Sequence, residues 1–106
     1  MAANSFDSFL RAQKQFSLQT RRAVWSKARI VPGYNQNVIR KDSCGAWIKW
    51  ADYGNTNSQY GWEVDHVYPS SLGGSDQLSN LQPLHWQNNR SKADSTTGHY
   101  CTVGYK

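Results

Sequence analysis

Residues 60 to 94 read YGWEVDHVYPSSLGGSDQLSNLQPLHWQNNRSKAD. The order of aromatic, turn-forming, apolar and polar residues in this segment guides the interpretation of the whole chain. The aromatic-rich run WEVDHVYP is typical of a strand, and a loop rich in glycine and serine follows Pro69. The apolar stretch from Leu81 to Leu84 predicts a second short strand, and the polar residues from about Trp86 to Ala93 predict a helix. Two strands, a loop and a helix make a compact ββα unit, a plausible cradle for one metal ion.

Acidic, imidazole and amide side chains occur in this unit at defined spacings. Asp65 and His66 are adjacent near the end of the first strand, Asn80 follows His66 by fourteen residues, and Asn89 follows Asn80 by nine. Carboxylate and amide oxygens are hard metal ligands, and histidine titrates near neutral pH. An isolated Asp-His pair is more often a structural ion pair, so the inference of a catalytic site depends on the asparagines that follow.

The order and spacing of these residues, with Arg90 and Lys92 after them, closely resemble the HNH (ββα-metal) nucleases. In that family a DH pair on the first strand, an asparagine in the loop and a histidine or asparagine on the helix form the site. The resemblance covers about a third of the chain. It implies the α+β class, a small single domain with a ββα-metal core preceded by short amino-terminal helices.

The resemblance also implies a role for each site residue. His66 would be the general base that takes a proton from the attacking water, and Asp65 and Asn89 would hold the metal. Asn80 would fix the loop and orient His66, and it would take no direct part in cleavage of the phosphodiester bond. Because Asn89 replaces the helix histidine of many relatives and CxxC zinc clips are missing from the sequence, the chain resembles the HNN subgroup. His85 lies near the position where many relatives have a zinc-binding cysteine of a CxxC pair. A histidine that packs against other residues or lies at the surface is favoured there over a remnant of a zinc ligand.

The expected cofactor and products follow from the same residues. Asp65 and Asn89 form an oxygen-rich pair that favours Mg²⁺, with Mn²⁺ as a substitute, over zinc. The resemblance implies hydrolysis of DNA phosphodiester bonds to leave 5′-phosphate and 3′-hydroxyl ends. Glu63 lies two residues before Asp65 on the same side of the strand, where it could support the metal or form a plain salt bridge. A one-residue shift between Asn88 and Asn89 remains open.

The charge of the chain is +5, and its distribution is asymmetric. Residues 8 to 41 carry eight basic side chains and no acidic one, which predicts an electropositive region suited to DNA. The family resemblance implies contacts to DNA phosphates from Arg90 and Lys92 on the helix, and the basic segment adds Arg21 and Arg22 as expected contacts. A basic face kept for solubility explains the charge alone equally well.

A single domain is predicted over residues 1 to 106, with a basic helical part at about 5 to 30 and the ββα core at about 58 to 95. Segments 5 to 15 and 17 to 29 each begin with a serine and place apolar residues at helical spacing. They predict two short amphipathic helices, the second with one apolar side formed by Leu18, Val24, Trp25 and Ala28.

The run AWIKW at residues 46 to 50 predicts a further strand. Aromatic and apolar residues of this run and of WEVDHVYP are expected to form much of the core: Trp47, Ile48, Trp50, Trp62, Val64 and Val67. Stacking of tryptophans on nucleic-acid bases is the alternative. The two cysteines, Cys44 and Cys101, are too few for a disulfide-rich scaffold or an all-cysteine zinc site. Two buried thiols are favoured over a disulfide between them.

The chain has no apolar run near the roughly 18 residues of a membrane span and no secretory pattern at its start, so a cytoplasmic protein without a membrane partner is expected. The main alternative to a cutting enzyme is a non-cutting or partner-activated DNA-binding HNH module. A nuclease directed at RNA, or a toxin-type nuclease, is a further alternative. DNA sequence preference, nicking or double-strand cleavage, and oligomeric state are left open by the sequence.

Overall fold

The computed structural model describes residues 16–97 and 99–104, in which two α-helices and two small antiparallel sheets are found. The elements in chain order are α1 (Leu18–Trp25), β1 (Ile39–Lys41), β2 (Trp47–Lys49), β3 (Trp62–His66), β4 (Leu81–His85) and α2 (Trp86–Lys92). Strands β1 and β2 form the first sheet, and β3 and β4 form the second. The α+β class and the ββα unit are confirmed. The helix predicted over residues 5 to 15 lies outside the described residues.

Helix α1 begins where its capping residue predicts. The Ser17 hydroxyl accepts a hydrogen bond from the backbone N–H of Thr20 at 3.0 Å, which satisfies one of the helix's unpaired donors. The helix ends at Trp25, four residues before the predicted end, because the next backbone bonds join residues three apart. Leu18 is exposed, whereas the other three residues of the predicted apolar side are buried: Val24, Trp25 and Ala28.

The core lies where α1 packs against β2 and the second sheet, and it consists of Val24, Trp25, Ala28, Ile48, Trp62, Val64 and Leu81. Trp50 packs against this cluster and is partly buried. Two core predictions were wrong. Trp47 lies outside the cluster because its neighbour Ile48 takes the inner side of β2, and alternation along a strand turns Trp47 outward. Val67 is 49% exposed because β3 ends at His66.

Strand β1, which the sequence patterns did not predict, is anchored by a buried arginine. The Arg40 guanidinium donates to the backbone oxygens of Gln36, Trp25, Ser26 and Ala28 at 2.9 to 3.3 Å. These oxygens include the last carbonyls of α1, where a cation is favourable. Arg40 therefore joins β1 to the end of α1 and does not belong to a solvent-facing basic surface.

The cysteine prediction was wrong, because Cys44 and Cys101 form a disulfide with a Cα–Cα distance of 5.5 Å. The chain after α2 returns to the turn between β1 and β2. Asn88 on α2 guides that return, since its Oδ1 accepts the backbone N–H groups of Thr102 and Val103 at 2.7 and 2.9 Å. Sequence separation alone gave no sign of this contact.

Asp42 ties the same turn to the start of α2. Its buried carboxylate accepts the N–H groups of Cys44 and Ala46 on Oδ1, at 2.9 and 2.8 Å. On Oδ2 it accepts the His85 N–H at 2.9 Å and the Asn88 amide at 3.1 Å. Hydrogen bonds and a disulfide thus hold together this part of the fold, in a chain that lacks CxxC zinc clips.

Among the described residues, no helix has the length and apolar character needed to cross a membrane.

Candidate active site

The candidate site lies between β3, α2 and the loop that joins β3 to β4. Glu63 and Asp65 contact side chains of α2, and His66, the next residue, faces the opposite side of the strand. The β3–β4 register pairs Asp65 with Gln82 and His66 with Leu81. Asp65 and His66 therefore point to opposite sides of β3, and His66 is the last residue of the strand.

Asp65 is buried beneath α2 with two polar partners. Its Oδ2 accepts the Gln82 amide at 2.9 Å, and its Oδ1 lies 3.3 Å from the Lys92 ammonium. Burial raises the pKa of Asp65, while the hydrogen bond from Gln82 and the charge of Lys92 act in the opposite direction. The carboxylate is thus fixed in orientation and stabilised by a neighbouring cation.

Lys92 does not occupy the position expected for a phosphate contact. The residue is only 3% exposed, and its ammonium donates to the backbone oxygen of His66 at 2.8 Å besides pairing with Asp65. The cause is helical period, because Lys92 follows Asn89 by three residues and shares the inner face of α2. Lys92 therefore links α2 to β3 inside the protein. This placement corrects the expected contact between Lys92 and DNA.

Glu63 is completely buried and holds two residues of α2. Its Oε1 accepts the Asn89 amide at 3.1 Å and Nη1 of Arg90 at 2.9 Å, and its Oε2 accepts Nη2 of Arg90 at 3.3 Å. Burial raises the pKa of Glu63 to about 7, with Asp65 adding to the rise and Arg90 and Asn89 opposing it. Glu63 therefore combines the salt bridge considered from the sequence with a direct contact to Asn89. The Arg90 side chain is 30% exposed.

Asn80 closes the loop between β3 and β4. Its Oδ1 accepts the Tyr68 N–H at 2.9 Å, and its amide nitrogen donates to the backbone oxygens of Tyr68 and Ser75 at 3.1 and 2.8 Å. Its own carbonyl accepts the Val67 N–H at 2.8 Å. One side chain thus holds both halves of the loop that follows His66.

Asp76, which the sequence patterns did not single out, contacts the imidazole of His66. The Nε2 atom of His66 lies 2.6 Å from Oδ1 of Asp76, a side chain that is 79% exposed. A carboxylate accepts, so Nε2 is the donor in this contact. The available signal was weak: Asp76 lies ten residues after His66 in a polar loop, and only the loop closure made by Asn80 brings it back.

Asp65 and Asn89 carry the oxygen donors that a divalent cation could use. In residues 16–97 and 99–104, no three His, Cys, Asp or Glu side chains gather as a metal cage. Asp65 and Asn89 place a carboxylate and an amide on the β3–α2 contact, and Glu63 accepts from the amide nitrogen of Asn89, not from its Oδ1. Mg²⁺ commonly uses one or two protein oxygens and retains several waters. These residues therefore fit that class of ion.

The basic residues of α1 stack on aromatic rings. The Arg21 guanidinium lies 4.8 Å from the centre of the Tyr53 ring, and the exposed Arg22 lies 5.1 Å from that of Trp50. Lys27, two residues beyond the helix, donates to the backbone oxygens of Leu78 and Leu81. Helix α1 is thereby fastened to the chain on both sides of Asn80.

Comparison with known families agrees with this geometry. A family model described as HNH endonuclease matches residues 43–95, half of the 106-residue chain, and the match includes the site from Glu63 to Lys92. Neither a curated protein nor a solved structure matches the chain. The protein belongs to the HNH endonuclease family.

Proposed function

We propose that the protein is a metal-dependent DNA endonuclease of the HNN type, which hydrolyses phosphodiester bonds to leave 5′-phosphate and 3′-hydroxyl ends. The observation that carries the proposal is the oriented imidazole of His66. Its Nε2 is held by Asp76, and the next residue on β3 is Asp65, which with Asn89 offers hard oxygen ligands. Membership of the HNH family supports nuclease activity.

His66 acts as the general base through Nδ1. Because Nε2 donates to Asp76, Nδ1 takes the proton from the attacking water, and the Asp76 carboxylate stabilises the imidazolium that forms. Lys92 holds the backbone of His66 by donating to its carbonyl, and Asn80 holds the loop that carries Asp76. The base is thus positioned from its backbone and from its ring.

Asp65 and Asn89 are the proposed ligands of Mg²⁺ or Mn²⁺. A divalent cation held by these residues would supply positive charge that stabilises the negative charge developing in phosphodiester hydrolysis. Gln82 orients the Asp65 carboxylate, and Glu63 orients the Asn89 amide. Arg90, Arg21 and Arg22 are the proposed phosphate contacts, and Arg22 has the most open side chain of the three.

Product ends and metal binding test this proposal separately. Plasmid nicked by the protein should be resealed by DNA ligase, whereas ends that carry a 3′-phosphate would contradict the proposed chemistry. Mn²⁺ binding, followed by electron paramagnetic resonance, should be lost in Asp65→Ala and retained in Asp94→Ala, which changes an exposed acid outside the site. Equal Mn²⁺ binding by both variants would refute Asp65 as a ligand.

One contact favours a second candidate, a DNA-binding module that does not cut or that needs a partner. The Lys92 ammonium lies 3.3 Å from Asp65 and already offsets its negative charge. If that ion pair excludes a divalent cation, the wild-type protein will bind DNA without binding Mn²⁺. The same resonance measurement on the wild type therefore separates the two functions.

A further inference from the structure

The outer face of the first sheet carries an unusual set of side chains. Strand register places Lys41 opposite Trp47, with Lys49 two residues further along β2 on the same side. Arg40 and Ile48 take the other side and are buried. The core therefore occupies one face of this sheet and leaves the other face to lysine and tryptophan.

Two tyrosines extend this surface. Tyr34, which is 54% exposed, lies with its ring centre 4.8 Å from that of Trp47, and the backbone oxygen of Tyr60 accepts the Lys49 N–H at 3.0 Å. The Lys41 ammonium lies 4.6 Å from the centre of the Trp47 ring, and the Lys49 ammonium lies 4.5 Å from that of Tyr60. We call this set of five side chains the hairpin face: Tyr34, Lys41, Trp47, Lys49 and Tyr60.

A cleft of about 330 Å³ opens beside the hairpin face. Trp47, Tyr60 and Lys41 line it together with Gln59, His85 and the backbone near Gly104. The volume is at the lower end of the range for small-molecule pockets, which suits one small planar group. The lining contains a cationic side chain, Lys41, and two aromatic rings, which match the phosphate and the base of a nucleotide.

We propose that the hairpin face binds single-stranded DNA, with bases stacked on Trp47 and Tyr60 and phosphates paired with Lys41 and Lys49. Unpaired bases expose their flat faces, and stacking on aromatic side chains beside positive charge is the usual way to hold a single strand. Each lysine already lies over one of these rings, so a short movement brings its charge to the backbone of a stacked strand. A duplex buries its base faces and gains only the charge.

The inference rests on the proposed function for the identity of the ligand, and it adds the form of DNA that is held. The cleft adjoins His85, which pairs with Trp62 at the end of β3 opposite to His66. Trp62 and His66 are four residue steps apart along the strand, about 13 Å. The hairpin face therefore lies outside the proposed catalytic centre, beside the end of β3 that is opposite to His66.

Binding measured in EDTA tests the hairpin face without cleavage. Fluorescence anisotropy of a labelled oligothymidine and of a duplex with the same number of phosphates gives the two dissociation constants. Tyr60→Leu and Trp47→Leu should weaken oligothymidine binding about tenfold and change duplex binding less than twofold. Arg29→Gln removes an exposed charge outside the hairpin face. It should lower the affinity for the oligothymidine and for the duplex to the same extent.

Tyr34→Ala provides a variant at an exposed position, so its fold should be retained even if Trp47→Leu proves unstable. It should also lower affinity for the single strand selectively. Equal loss for both ligands, or no loss in any folded variant, would overturn the inference. The binding assay needs no catalysis, so its result does not depend on whether the protein cuts DNA. Absence of plasmid cleavage would reject the proposed function and would not affect the test of the hairpin face.

Discussion

Replacement of Asp42 by asparagine should strongly destabilise the fold without touching the proposed catalytic residues. Each carboxylate oxygen of Asp42 accepts two hydrogen bonds from buried or partly buried donors, Oδ1 from Cys44 and Ala46, and Oδ2 from His85 and Asn88. An asparagine keeps one oxygen and turns an NH₂ group towards the other two donors. Two hydrogen bonds are therefore lost whichever way the amide is oriented.

The size of the effect follows from the unpaired donors. A buried donor left without its acceptor costs about 1–3 kcal/mol, and bonds to a charged acceptor are stronger than neutral ones. Two such losses at one site predict a fall of about 3–4 kcal/mol in the free energy of unfolding. For a domain of this size, that corresponds to a melting temperature lower by roughly 15 °C.

Urea unfolding of the oxidised protein, followed by tryptophan fluorescence, measures this difference. Asp94→Asn makes the same chemical change at an exposed acid and should alter stability by less than about 0.5 kcal/mol. A loss below about 1 kcal/mol in Asp42→Asn, with an unchanged dependence on urea concentration, would refute the role assigned to this carboxylate.

Three further predictions concern Asp76 in the loop between β3 and β4, the buried acid Glu63 and the disulfide. Asp76→Ala should lower kcat about tenfold at unchanged KM, with Asp76→Asn intermediate; equal kcat in all three proteins would contradict the pairing with His66. Burial raises the pKa of Glu63 from 4.5 to about 7, so the folded state keeps a proton that the unfolded state has lost. The stability of the wild type in EDTA should therefore fall by up to about 3 kcal/mol as pH rises from 4.5 to about 7, whereas Glu63→Gln should lack this fall; identical pH slopes would disprove it. The disulfide spans 57 residues, so Cys101→Ser should cost about 4 kcal/mol, and a thiol reductant should destabilise the wild type alone.

Local patterns predicted the second sheet and α2 well. The aromatic-rich run WEVDHVYP, the apolar stretch from Leu81 to Leu84 and the polar segment after it each act within a few residues, and the two strands and the helix formed where they were expected. Strand β1 was missed because its stability comes from Arg40 and from pairing with β2, which are contacts between segments. The inward or outward orientation of Trp47 depended on the same pairing.

The candidate site shows the same division between local and long-range information. Spacing along β3 predicted that Glu63 and Asp65 share a side, and the structure agrees. Spacing could not reveal that Lys92 pairs with Asp65 inside the protein or that Asp76 returns to His66. Both depend on how a helix and a loop pack against β3.

The disulfide bears on the cellular location expected from the sequence. Disulfides persist mainly in oxidising compartments and are rare in cytosolic proteins. The Cys44–Cys101 pair therefore favours a setting outside a reducing cytoplasm. Thiol labelling of the protein in freshly lysed cells would distinguish the reduced form from the disulfide. Rapid labelling of both cysteines indicates the reduced form, and labelling only after reduction indicates the disulfide.

Cleavage of supercoiled plasmid by the wild type and by His66→Ala, each with Mg²⁺, Mn²⁺, Zn²⁺ or EDTA, tests the central claim most directly. We expect the wild type to nick or linearise the plasmid with Mg²⁺ or Mn²⁺ only. His66→Ala should bind DNA with similar affinity and cut at no detectable rate. Equal cutting by the variant would contradict the assignment of the base, and no cutting by the wild type under any condition would contradict the proposed nuclease.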